Sequence, residues 1–542
     1  MKLKILVLLL AVLVFYNWRA TQGTNTYHLN ENFESYYNSL TDAFLLGQLN
    51  LPIKMDEKMD SRLYDYESNK KYISDHGIFD LCFYKGKFYP YFGPAPVLTL
   101  YLPYQVLTGG LRMPPHLASL IFCFGGFVWA MMIILRIREK YYPDISVWIV
   151  LFCCTVLAFS NISPFLLFCS SRDYIYQTPI CAGIFFLTGA IYFLCTSIKD
   201  DYVFSNTRLF LGSIFLGLSI ASRPHFIFPA LIALFFLNRK IFRSSRSLLL
   251  LNVPFVVFIL LIMFYNFLRF DSPFEFGIKY QLSWINRMQS EVWFHSSRIV
   301  ANIYFLIFQP IFMEKKYPFV YFNPQLPAYI QQPSLHGTYV IEKTAGIFPA
   351  NPFLFTPLVL PLIYAIRTVK IKREIKQSPF ISLIKTACWQ MFCVYLVIFL
   401  ASMFGNLIPS SSFSEIVFSL LKEPALFFLV FLAIFYCHLI SFLRKEGRAM
   451  KSRFCAFEFN IIACGAIVLI IFYLPFAFLS FRYSADFATL LVLTCIIIWF
   501  YFEEKIKGDK MWKWITRAFP LIFGVYSIFL GAMYSLKENL WR

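Results

Sequence analysis

Apolar residues in this chain gather into long blocks separated by short polar breaks. Blocks approaching about 20 apolar residues read as membrane-spanning helices. They lie at 3–18, 116–136, 146–169, 178–197, 207–222, 225–238, 247–268, 348–366, 380–403, 424–443, 457–480, 486–502 and 517–535. Two more stretches, 92–108 and 297–313, are ambiguous. The first holds Gly93, Pro94, Pro96 and Pro103, which make a poor continuous span. The second carries Arg298, Asn302 and Gln309.

Basic clusters resolve the ambiguity. If 92–108 crossed, everything downstream would invert. Arg136, Arg138, Lys140, Arg239, Lys240, Arg243 and Arg246 would face outward, as would the clusters at 367–376, 444–453 and 505–517. The positive-inside rule keeps such clusters in the cytoplasm. Both ambiguous stretches are therefore expected to be interfacial or re-entrant helices on the outer face. The expectation is an all-α polytopic membrane protein with about thirteen spans. Its outward loops fall at 19–115, 170–177, 223–224, 269–347, 404–423 and 481–485. Residues 1–542 read as one membrane domain. An N-terminal module, 1–238, carries the outer loop 19–115, and helices of 239–542 carry the outer loop 269–347. Lys2 and Lys4 precede the first apolar block, and no A-x-A cleavage site follows it. That block reads as an uncleaved helix with a cytoplasmic N-terminus.

Composition sharpens this picture. With 58% hydrophobic and only 15% charged residues, the chain is not a soluble protein. The net charge of +19 does not imply a nucleic-acid partner, because the basic residues are split into short clusters between apolar blocks. The 13 cysteines lie mostly in apolar runs without a CxxC pair and read as packing residues. No internal repeat and no phosphate-binding glycine loop is visible.

Candidate chemistry lies in the outward loops. In residues 31–48, Glu34, Asn38 and Asp42 follow an i, i+4, i+8 spacing and share one helix face. Phe33, Tyr37, Leu40, Phe44 and Leu45 form an apolar stripe beside them. Such a helix can lie on lipid with its carboxylates turned into a cleft. Further acids and bases are Asp80 and Lys85, Arg172 and Asp173, Arg223 and His225, Arg269, Asp271, Glu275 and Lys279, and Arg482, Tyr483 and Asp486. Each alone reads as a helix-end anchor. His225 reads as a packing or interfacial residue. Their placement on one side of the membrane is the signal. Transfer from a phosphate-linked lipid needs a carboxylate as general base. It also needs cations at the departing phosphate, either Arg and Lys or a divalent metal.

The run from Glu34 to Pro52 is similar to the first outer loop of the GT-C superfamily of integral-membrane glycosyltransferases. That superfamily includes aminoarabinose transferases and protein O-mannosyltransferases. Glu34, Tyr37, Gly47 and Pro52 fit the order of its acid, tyrosine, glycine and proline. The segment KFYPYFGPAPVLTLYLPYQVLTG resembles its interfacial segment, and Asp173 fits its second-loop acid. The typical acidic pair is single here, because Phe33 precedes Glu34. The chain also looks like a subgroup of bacterial membrane proteins. The shared motifs fall at Asp42–Leu49, Tyr84–Pro94, Ser222–Pro224, Arg269–Gln281 and Arg482–Phe487.

The resemblance implies a multi-pass glycosyltransferase of the bacterial inner membrane with an outward-facing site. It would move a sugar from a polyprenyl-phosphate carrier to an envelope glycan, lipid or protein. Glu34 or Asp42 is expected as base, with Asp80 and Asp173 orienting the acceptor or binding metal. Arg172, Arg223, Arg269 and Arg482 are expected at the donor phosphate, and Tyr37, Lys85 and Tyr483 in the substrate groove. The metal is left open as Mg or Mn. The alternative is a lipid or glycan transporter or flippase, which needs ionisable residues inside the membrane. Glu458 and Lys385 are the few available, both near the ends of their blocks. A third reading is an assembly protein whose outer loops bind a partner.

Overall fold

A computed structural model describes residues 2–27, 35–53, 78–160, 174–200, 203–283, 293–313, 319–322, 339–372, 455–506 and 510–536. The elements follow the apolar blocks. Helix α1 is Lys2–Ala20 and α2 is Tyr36–Leu45. A hairpin joins β1 (Leu81–Tyr84) to β2 (Lys87–Pro90). Then come α3 (Val97–Leu107), α4 (Pro115–Tyr141), α5 (Val147–Ser160), α6 (Tyr174–Ser197), α7 (Asn206–Ser222), α8 (Ile227–Ile241) and α9 (Ser245–Phe270). After α10 (Ile299–Phe308) and β3 (Val340–Ile341) stand α11 (Thr356–Lys372), α12 (Ala456–Tyr473), β4 (Phe478–Leu479), α13 (Ala485–Lys505) and α14 (Lys510–Leu536).

Seven of these helices, α1, α4, α6, α9, α12, α13 and α14, are long and apolar enough to cross a membrane. The chain is a membrane-embedded, multi-pass helical protein. The outer face of α9 supports this independently: Val253, Val257, Leu260, Leu261, Phe264 and Phe267 are all exposed. So long an apolar face suits a lipid or protein neighbour better than water. Helix α13 is the opposite case, nearly all buried, and packs against α4, α5, α6, α11, α12 and α14.

The turn expected at 223–224 is there, because Pro224 favours an extended backbone at Arg223 (φ −145°, ψ 113°) and ends α7. Other expected spans are broken or shortened. Block 457–480 leaves the helix after Tyr473, because Pro475 follows. Block 348–366 begins as a short turn at Ile347–Ala350 and restarts beyond Pro352 as α11. Helix α5 is described only to Ser160, and blocks 380–403 and 424–443 lie outside the described residues. The ambiguous stretches form α3 and α10, both too short to span.

The described residues are mostly helical, as expected, and short two-stranded pairs stand in the segments between helices. Lys85 and Gly86 both have positive φ (48° and 75°), the geometry that lets a two-residue turn close β1 onto β2. Segment 277–283 adds to the β1 edge: Leu282 N donates to Leu81 O, and Asp80 N donates to Leu282 O, each at 2.8 Å. Strands β3 and β4 pair in parallel, Val340 with Phe478 and Ile341 with Leu479. Two further short pairs join Ile198–Asp200 to Val203–Phe204 and Phe312–Met313 to Val320–Tyr321.

Helix α2 forms where expected, with Ser35 as N-cap accepting from Asn38 N at 3.2 Å. Its apolar stripe does not simply rest on lipid. Tyr37 and Leu40 are buried with Val97 and Tyr101 of α3 and with Leu81 and Phe88 of the hairpin. Among the described residues of the stripe only its end, Leu45, is exposed, together with the next residue, Leu46. A neighbouring apolar helix meets the stripe before the membrane can.

Candidate functional site

A cavity of about 550 Å³ opens where the loops and helix ends of one side of the bundle converge. Five separate stretches of sequence supply its polar wall: Asp80, Arg223 with His225, Gln281 with Ser283, Glu342, and Arg482 with Tyr483. Aromatic residues supply the rest, including Tyr91, Phe92, Tyr176, Trp293, Phe472 and Tyr473.

Local sequence places the key groups. Pro224 ends α7 and leaves Arg223 buried at the helix terminus, facing the cavity. The turn Phe481–Ser484 sets Arg482 and Tyr483 just ahead of α13. Asp486 then falls in the first turn of α13, where the helix dipole favours a carboxylate. Gly93 lets the segment before α3 approach the end of α7, since a Cβ there would lie 1.9 Å from Ala221 O.

Buried Arg223, Tyr473 and Asp486 form one network with half-buried His225 in and behind the cavity wall. His225 Nε2 lies 2.9 Å from Asp486 Oδ2, and Arg223 Nη2 lies 3.3 Å from the same oxygen. The Tyr473 hydroxyl donates to that oxygen as well. It also accepts from Arg223 Nη2 at 3.3 Å and lies 3.2 Å from His225 Nε2. Rings fix the geometry: His225 stacks on Phe472 at 5.2 Å, and Tyr473 stacks on Tyr483 at 5.1 Å. Arg223 Nη1 and Asp486 Oδ1 are buried without a hydrogen bond among the described residues. A buried arginine with an unused donor on a cavity wall is suited to an anionic ligand.

Arg482 forms a second cationic point. Its guanidinium lies 4.0 Å from the centre of the Tyr176 ring and donates from Nη2 to Glu342 Oε1 at 3.0 Å. Glu342 is anchored through its backbone, whose N–H donates to Leu479 O at 2.8 Å beyond the β3–β4 pair. Two arginines, two cavity-facing carboxylates and aromatic platforms can hold a phosphorylated, ring-bearing ligand. Among the described residues, no group of three His, Cys, Asp or Glu is gathered that could hold a metal ion.

The structure thus brings together Asp80, Arg223, Arg482 and Tyr483 of the expected site. Others stand apart. Asp42 is engaged by Arg112 at 2.6 Å and Gln105 at 2.9 Å, which tie α2 to α3 and the loop after it. Tyr37 packs on Tyr101, ring centres 5.6 Å apart, in the small core beside the hairpin. Arg269 donates to Pro90 O at 3.0 Å and Asn266 Oδ1 at 2.7 Å, between the rings of Tyr265 and Phe270. It fastens α9 to the hairpin and does not line the cavity. Lys85 is exposed and pairs with Asp271 at the hairpin tip. There the Lys85 ammonium and the Tyr84 hydroxyl hold the Asp271 carboxyl below its usual range. Glu34, Arg172 and Asp173 lie outside the described residues.

Two participants escaped the sequence reading, and a third was given another role. Glu342 sits in a loop without apolar periodicity. Its signal was the β-favouring run Tyr339–Ile341 just before it, which is typical of a strand. Tyr473 was hidden inside an apolar block. His225 was read as packing, and its bond to Asp486 adds a polar role.

Scans against protein-family models, curated proteins and solved structures return no match for this chain.

Proposed function

We propose that the protein is a glycosyltransferase that moves a sugar from a polyprenyl-phosphate carrier to an envelope glycan, lipid or protein. The observation that carries this reading is the wall of the 550 Å³ cavity, with Arg223, Arg482, Asp80 and Glu342 set among aromatic rings. Arginine pairs readily with phosphate through two parallel hydrogen bonds. Aromatic faces such as the Tyr473–Tyr483 stack offer an apolar platform for a sugar ring. Asp80 orients the acceptor, and a carboxylate of the wall takes its proton. The resemblance of the first outer loop to the GT-C superfamily supports the same reading. So does the positive-inside pattern, which is consistent with this end of the bundle facing outward from a bacterial inner membrane and the N-terminus facing the cytoplasm. A divalent cation remains compatible with this chemistry as an added clamp on the phosphate.

Asp42 is not the base in this proposal, because Arg112 and Gln105 already occupy its carboxylate away from the cavity. The test is transfer of labelled sugar from a set of polyprenyl-phosphate donors into envelope material, using membranes that carry wild type, Arg223→Ala or Asp42→Asn at equal expression. Transfer by wild type, a fall of about 100-fold or more in Arg223→Ala and near-normal transfer in Asp42→Asn are expected. No transfer by wild type from any donor would move the assignment to a transporter or flippase.

A further inference from the structure

The Arg482–Glu342 pair is the unusual feature of the cavity. Arg482 is buried, with its guanidinium over the Tyr176 ring. Glu342 is different, because its side chain is one-third exposed (32%) while that of Arg482 is only 5% exposed. Oε1 of Glu342 accepts from Arg482, whereas Oε2 is buried and makes no hydrogen bond among the described residues. Its backbone is held by Leu479 at the end of a two-residue parallel pair, so the backbone stays in place if the side chain changes partner. Both residues line the cavity.

A phosphate that enters this cavity competes with Glu342 for Arg482. The donor phosphodiester carries one negative charge, as the carboxylate does, but it can bind the guanidinium fork through two oxygens where Glu342 uses one. We propose that the donor phosphate displaces the Glu342 carboxylate from Arg482, and that the released carboxylate is the general base of the transfer. This rests on the transferase reading above. Glu342 then stands in the cavity with both oxygens open to the acceptor. The step balances as follows. The acceptor hydroxyl gives its proton to Glu342 as its oxygen bonds to the anomeric carbon. The bond from that carbon to the phosphate oxygen breaks, and its electron pair leaves with the lipid phosphate held by Arg482. Coupling the base to donor binding keeps the carboxylate masked while the donor site is empty, and so limits activation of water there.

The exchange makes a prediction that a structural ion pair does not. Removing the Glu342 charge removes a competitor for Arg482, so donor affinity rises while transfer falls. Wild type, Glu342→Gln and Arg482→Lys in detergent are compared for binding of a fluorescent polyprenyl phosphate and for transfer from the matching polyprenyl-phosphate sugar. Thermal unfolding is recorded as a check on folding. In Glu342→Gln the binding constant is expected to tighten several-fold, while the transfer rate at saturating donor falls about 100-fold or more. Arg482→Lys is expected to weaken binding, because an ammonium cannot reproduce the fork. Unchanged or weaker lipid-phosphate binding by a folded Glu342→Gln would overturn the exchange. Near-normal transfer by that variant would overturn Glu342 as base. Tighter binding in Glu342→Gln with no transfer by wild type would instead retain the exchange and defeat the transferase reading and the role as base.

Discussion

Helix α13 has a buried carboxylate near each end, and the two are built differently. Glu503 is held by Arg517 at 2.9 Å and Lys513 at 3.7 Å, both from α14, the next helix in sequence. Asp486 is held by Arg223, His225 and Tyr473, which come from the α7–α8 turn and the end of α12. Glu503 has solvent-touched partners, with Arg517 and Lys513 about a third exposed. Asp486 has buried partners and stands behind the large cavity. The far end of the bundle also carries Glu458, which accepts from Tyr141 at 2.8 Å beside Lys140. The space there is about 10 Å³, room for one water molecule. Charges at the far end, paired within the α13–α14 hairpin or between α4 and α12 with almost no space beside them, secure the fold. Charges assembled from distant segments around a cavity are costly to arrange and point to a site.

That difference can be broken or sharpened, beginning with its largest consequence. Asp486→Asn leaves Arg223 buried without its counter-charge. Stability is expected to fall by about 3–5 kcal/mol, seen as a lower unfolding temperature in detergent, with transfer lost as well. Gly93→Ala forces a Cβ into the backbone of Ala221 and displaces the end of α7 that carries Arg223. A loss of about 1–3 kcal/mol is expected, together with weaker binding of polyprenyl phosphate. Glu503→Gln removes a pair whose partners are screened by solvent. It is expected to cost about 1 kcal/mol or less and to leave transfer unchanged. Equal losses in Asp486→Asn and Glu503→Gln would erase the distinction between the ends.

The smallest expected effect concerns the hairpin tip. The Asp271 carboxyl is held down by Lys85 and Tyr84, so its folded value lies below the ordinary 3.8. A depressed acid contributes stability above its unfolded value and loses it as pH falls through the folded one. The tie between the hairpin and segment 271–280 is therefore expected to persist down to that ordinary value and to loosen only in stronger acid. Hydrogen exchange across 271–280 on acid titration measures this. Loosening between neutral pH and the ordinary carboxylate range would contradict the placement of Lys85 and Tyr84 on Asp271.

Much of the site was visible as motifs before it was visible as a site. Ser222–Pro224 and Arg482–Phe487 each carried a cation at a helix end, and both motifs now meet across Asp486. Asp80 was visible as an acid in a polar loop. What could not be read was partnership. Nothing in the neighbourhood of Asp42 announces Arg112 and Gln105 as its partners, and nothing near Glu342 announces Arg482. Arg269 has the same composition signal as Arg223 yet ends on a backbone carbonyl of the hairpin.

The sequence by itself determined that the chain lives in a membrane and where most helices run. Those properties follow from the sum of apolar residues in a window and from local breakers such as Pro224 and Pro475. The tertiary structure alone decided which polar groups share the cavity, which are spent in fastening one element to another, and which wall residue was missed. Ion pairs and hydrogen bonds act over a few ångströms of space. The segments that supply Asp80, Arg223, Glu342 and Arg482 are far apart along the chain, and only their packing brings them within that range.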